Sequence, residues 1–148
     1  MKDIKTEFVP YVIAEALNKL GFDEPCIAYY TFTTQRLSRT GATDNTGNGD
    51  FVTVQLKDLY QNYILAPLWQ QAFDWLREKH KFMYYIADIM VSASNTVGYR
   101  FRYYAGKLLD DFTIVDESML GYLTYEEAQL ECLKAIIKQI QNEKQVQS

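Results

Sequence analysis

Between Val9 and Leu20 the apolar residues fall at Val9, Val12, Ile13, Ala16, Leu17 and Leu20, and from Cys26 the pattern changes to an apolar, aromatic run with strand character. The first spacing puts one stripe on a helix, while the second suits a strand covered on both faces. The same change of period recurs after Pro67, and it constrains the fold more than any other feature of the chain. Pro10 is expected in the first turn of the opening helix, where its missing N–H costs nothing. Gly21 followed by Phe22 predicts a left-handed stop, with an apolar residue folding back on the last turn. "CIAYYTFTT" (Cys26–Thr34) then reads as a strand, with "FVTVQL" (Phe51–Leu56) as its partner.

A second helix is expected from Pro67. Leu68, Trp69, Ala72, Phe73, Trp75 and Leu76 form its apolar face, and Asp74, Arg77, Glu78 and Lys79 its polar one. "KFMYYIADIMV" (Lys81–Val91) reads as a buried strand, "SASNTVG" as a turn and "YRFRYYA" (Tyr99–Ala105) as the returning strand. Tyr99, Phe101 and Tyr103 would share one face of that strand, with Arg100, Arg102 and Tyr104 on the wetter one. "DFTIVD" is a candidate for one more short strand. The last helix starts at Thr124, because Thr124 and Glu127 have the spacing of a capping box and Leu130, Leu133, Ile136, Ile137 and Ile140 continue as a stripe. The expected order is αββαββ(β)α: an α+β fold with three helices and a mainly antiparallel sheet of four to five strands.

A chain of 148 residues, 48% hydrophobic, can bury a core as one domain spanning residues 1–148, with a long loop over 35–50 and a frayed tail over 142–148. Its net charge of -4 gives no long-range attraction to a polyanion, which argues against nucleic acid as a partner. "MKDIKTEF" lacks the apolar run of a signal peptide, and no stretch reaches the roughly 20 apolar residues of a membrane span. Cys26 and Cys132 belong to no metal-binding or redox motif and are read as reduced thiols of a cytoplasmic protein, a disulfide between them being the alternative.

Little catalytic chemistry is visible. "TGATDNTGNGD" (Thr40–Asp50) places Asp44, Asn48 and Asp50 at alternate positions of a calcium loop, but Gln55 stands where the closing glutamate is needed and the flanks read as strands. No Lys-Ser or Lys-Thr follows its glycines as phosphate binding would require. The loop is therefore expected to be a surface connection, and no cofactor is called for. His80 is the only histidine and suits a charge at a helix C-terminus better than a lone general base. Asp110–Asp111, Asp116–Glu117 and Glu126–Glu127 are the acid pairs from which a carboxylate-metal enzyme would have to be built.

The doublets Tyr29-Tyr30, Tyr84-Tyr85 and Tyr103-Tyr104 all fall in expected strands, where each must send one ring to either face. Tyrosine offers rigid contact area with a polar tip, so Tyr30, Tyr85 and Tyr104, together with Arg100 and Arg102, are the candidate interaction residues. Such a face would bind a protein or a second copy of the chain. The alternative is base stacking on Tyr104 beside the two arginines, but the acidic start of the last helix departs from the double-stranded-RNA-binding pattern that the element order suggests.

"FVPYVIAEALNKLGFDEPCIAYY", "ILAPLWQQAFDWLREKH" and "LTYEEAQLECLKAIIKQI" together resemble a family of small phage and prophage proteins of Bacteroidetes with no assigned function. The resemblance covers most of the chain outside the Thr40–Asp50 loop and the turn around Asn95, and transfers no residue roles. It implies a phage-type accessory protein in a bacterial cytoplasm, whether or not carried in a virion, with a host or phage protein as its partner.

Overall fold

The computed structural model describes residues 4–39, 61–91, 96–105, 113–117 and 121–147. The expected strand Phe51–Leu56, the loop residues Asp44, Asn48 and Asp50, the pair Asp110–Asp111 and residues 92–95 of the expected turn lie outside the described residues. Among the described residues the fold is α+β with three α-helices, as the periodicity predicts, and all the strand pairing is antiparallel. The described strands form two sheets of three where one was expected. They belong to two compact units, residues 1–75 and 76–148.

In the first unit α1 (Tyr11–Lys19) is preceded by Pro10, which stands at the N-cap, one position earlier than expected; its carbonyl accepts from the Ile13 and Ala14 N–H groups, both at 3.0 Å. The helix stops as the sequence requires. Gly21 takes φ +97°, its N–H donates to the Asn18 carbonyl, and the Phe22 N–H donates to the Leu17 carbonyl, each at 3.0 Å. This is a Schellman closure, and its two apolar members, Leu17 and Phe22, are fully buried.

The strand expected over Cys26–Thr34 is shorter. β1 (Ala28–Thr31) ends in a tight connection whose Gln35 adopts φ 53°, and the chain returns as β2 (Leu37–Arg39), within the segment expected to be loop. The other edge of β1 is taken by β3 (Tyr63–Leu65), so both positions beside it are filled without Phe51–Leu56. A hairpin to β2 closes a shorter loop than a pairing across the Thr40–Asp50 segment, and costs less chain entropy. An antiparallel bridge extends the unit: Phe8 pairs with Leu68, and beside it the Val9 N–H donates to the Pro67 carbonyl at 3.0 Å. That use of Pro67 holds it extended, and α2 (Trp69–His80) begins two residues later than expected.

Leu17, Phe22, Leu65, Pro67 and Phe73 are among the largest fully buried side chains of this unit, and Trp75 meets Phe22 edge-on at 5.4 Å between ring centres. Two amides tie helices to extended chain. Asn18 Nδ2 donates to the Leu65 carbonyl at 3.2 Å, and Gln71 Nε2 to the Pro25 carbonyl at 2.7 Å.

In the second unit β4 (Phe82–Val91) and β5 (Thr96–Ala105) pair along their whole length, from Phe82 opposite Ala105 to Val91 opposite Thr96. β6 (Thr113–Glu117) pairs with Arg102 to Ala105 across a bulge between Tyr103 and Tyr104. The final helix, α3 (Tyr125–Val146), begins at the expected capping box: the Glu127 N–H donates to Thr124 Oγ1 at 3.1 Å, and the Thr124 N–H to the Glu127 carboxylate at 3.4 Å. Its tail is helical to Val146 instead of frayed from 142. Strong helix formers carry it through exposed positions, with Gln139 Nε2 donating to the Glu143 carboxylate at 3.1 Å. Cys132, Leu133, Ile136, Ile137 and Ile140 form the buried stripe of α3, which packs across β4 and β5.

A candidate interaction face on β4 and β5

Directly opposed residues of an antiparallel pair share a face, so the β4–β5 register sorts every side chain. Phe82, Tyr84, Ile86, Phe101 and Tyr103 fall on the side of the sheet where Phe101 and Tyr103 are buried, together with α3's apolar stripe. There the rings of Phe101 and Tyr103 stack at 6.5 Å, Phe101 stacks on Tyr122 at 5.9 Å, and Tyr99 meets Tyr125 edge-on at 6.0 Å. On the opposite side Met83 stands across from Tyr104, Tyr85 from Arg102 and Ala87 from Arg100. Tyr85 is 61% exposed and Met83 43%; Arg100 is exposed, and Arg102 and Tyr104 are half-buried between them.

Four of the five candidate residues, Tyr85, Tyr104, Arg100 and Arg102, thus come together on one face. Tyr30 does not join them. It lies in the other sheet, only 7% exposed, its hydroxyl donating to the Val9 carbonyl at 2.7 Å and its ring edge-on to Tyr11 at 5.6 Å. Of that doublet, Tyr29 is the half-exposed member, packed against Tyr63 at 5.0 Å. Alternation guarantees that the two rings of a doublet part company, but which one turns inward depends on what packs above the strand. Burial raises the Tyr30 phenol pKa, as expected for a hydroxyl held inside.

Met83 was not among the sequence candidates, although it shares the parity of Tyr85 two residues on. Its position was legible once Tyr85 was placed.

His80 ends α2, but burial, with Lys144 as the second cause, lowers its pKa against an opposing effect of Glu143. Desolvation therefore outweighs the helix-end stabilisation of a cation that the sequence suggested. Both cysteines are free and buried, and burial pushes each thiol up to about 12. Among the described residues no three His, Cys, Asp or Glu side chains gather as a metal site. No helix among them is long and apolar enough to cross a membrane.

A groove of about 410 Å³ runs between β5 and α3, with Phe101 and Tyr103 on one wall and Glu131, Lys134, Lys138 and Asn142 on the other. Lys134 is held by Glu131 at 2.8 Å, so part of that wall is internally neutralised. No protein-family model, curated protein or solved structure matches the chain.

Proposed function

We propose that this chain is a non-catalytic protein-interaction module, a phage-type accessory protein that binds a host or phage protein in a bacterial cytoplasm. The observation that carries this reading is the exposure of Tyr85 and Met83 beside Arg100, Arg102 and Tyr104, on the sheet face turned away from α3's apolar stripe. Rigid aromatic area with arginine beside it is the composition from which interface hot spots are built, and exposed aromatic or thioether surface carries a hydration cost that a partner removes. The unpaired, buried thiols support a reducing compartment.

A photo-crosslinking residue in place of Tyr85, expressed in Bacteroidetes cells, tests the reading. Discrete adducts are expected from position 85 and not from an exposed control at Glu78 on α2. Adducts that include a second copy of the chain would identify the partner as self. Equal labelling at both positions, or none at 85, would count against this face.

A further inference from the structure

We propose that the first unit binds a small carboxylic acid with an apolar body, in a cavity of about 350 Å³ at the β1–β2 hairpin. It shares no residue with the β4–β5 face, so either can stand without the other. Among the described residues the cavity is lined by Tyr30, Gln35, Arg36 and Leu37. Tyr30 and Leu37 are directly opposed in the β1–β2 register and so share a face. The Tyr30 hydroxyl is committed to the Val9 carbonyl, which leaves the ring as its contribution to the cavity wall. Arg36 adds a guanidinium and Gln35 an amide, both at exposed positions. The volume lies at the low end of the roughly 300–1,000 Å³ of small-molecule sites, which combine apolar walls with a few convergent polar groups.

Gln35 ends the hairpin connection at φ 53°; its N–H donates to the Thr31 carbonyl at 2.7 Å, and the Thr31 N–H donates to the Arg36 carbonyl at 3.0 Å. The turn demands that backbone conformation, but glycine meets the demand at least cost. Two other described residues have positive φ, and each has a local reason. Gly21 carries no side chain to strain, and at Lys81 the ammonium donates to the Glu78 carbonyl at 2.7 Å. The Gln35 amide makes no such bond among the described residues, so nothing there offsets its strain, and strain of this kind gathers at ligand sites. The Arg36 guanidinium likewise has no ion pair or hydrogen bond among them. A carboxylate is planar, takes two parallel N–H···O bonds from one guanidinium and keeps lone pairs for an amide donor. One cation with no acid beside it in the lining suits a single negative charge, whereas a phosphate dianion is better served by several cations or a helix N-terminus.

The test titrates the ¹⁵N-labelled full chain with phenylbutyrate and with phenylbutyramide, which has the same shape and no charge. Expected are saturable chemical-shift changes centred on residues 30–37, with a Kd on the order of 1 mM for the acid and binding about tenfold weaker or worse for the amide. Arg36→Gln, at an exposed position, should lose the preference for the acid while keeping the urea midpoint of the natural chain. Gln35→Gly separates strain from recognition. It should raise the urea midpoint yet weaken acid binding, whereas a glutamine with only a structural role would show the first effect without the second. Equal binding of acid and amide, shifts that never saturate, or an Arg36→Gln variant that binds like the natural chain would overturn the site. Tighter binding of phenyl phosphate than of phenylbutyrate would overturn carboxylate recognition. A tetrapeptide ending in a free phenylalanine carboxylate distinguishes the sources of the ligand. Binding stronger than that of phenylbutyrate, and lost on C-terminal amidation, assigns the carboxylate to a chain terminus; weaker binding assigns it to a free acid.

Discussion

His80 sits half-buried at the end of α2, where burial and the Lys144 charge both disfavour its protonated form. With its pKa below the usual 6.5, the folded chain binds this proton less readily than the unfolded one. Above 6.5 neither state carries the proton and His80 has no effect on stability. As pH falls below 6.5 the unfolded state gains it first, so stability declines, levelling once the folded His80 also titrates. Urea midpoints measured from pH 7.5 to 5 should therefore fall less steeply in His80→Gln than in the natural chain. Parallel curves would show that the histidine is indifferent to folding. No local pattern in "REKHKF" could reveal this, since Lys144 and Glu143 arrive from a helix more than sixty residues away. Tyr30 teaches the same lesson about position: its buried hydroxyl bond to Val9 depends on a segment that meets the strand only in the folded state.

Helix ends, by contrast, are decided within a few residues. Gly21 closes α1 at φ +97°, a conformation that an L side chain adopts only with strain. A Cβ built there meets nothing within 4 Å, so crowding contributes nothing and the cost of Gly21→Ala is conformational. About 1–2 kcal/mol of stability should be lost, measurable as a lower urea midpoint at unchanged slope. A variant as stable as the natural chain would mean that α1 ends in some other way. The capping box at Thr124 and Glu127 is legible for the same reason, because both partners lie in one turn. Strands were read less completely. β4 and β6 overlap the segments where period and composition placed them, and β5 does so from Tyr99 but begins at Thr96, inside the expected turn, whereas Cys26–Thr34 hid a hairpin because a positive φ at Gln35 carries no glycine to announce it.

At the scale of the whole chain, the boundary between the two compact units falls inside α2, between Trp75 and Leu76, and not in a Gly- or Pro-rich linker. Both residues are buried, and short helices are marginal in water without tertiary packing. Residues 1–75 and 76–148, produced as separate chains, should together give a weaker helical circular-dichroism signal than the intact protein. An undiminished sum would show that each unit holds its own share of α2. The segregation of charge belongs to this scale too. A net charge of -4 describes the chain, while the β4–β5 register puts Arg100 and Arg102 together on one sheet face.

The amino-acid sequence alone determined the class of fold, the three helices, the glycine stop of α1, the capping box of α3 and the alternation of Arg100, Arg102 and Tyr104 against Phe101 and Tyr103. Each of these follows from interactions between residues at most a few positions apart, or from the fixed periods of helix and strand. Only the tertiary structure decided that the strands divide between two sheets, that Tyr30 turns inward while Tyr85 stays exposed, and that burial lowers the pKa of His80. Those outcomes depend on loop closure and on side chains contributed from distant segments, whose burial no local spacing encodes.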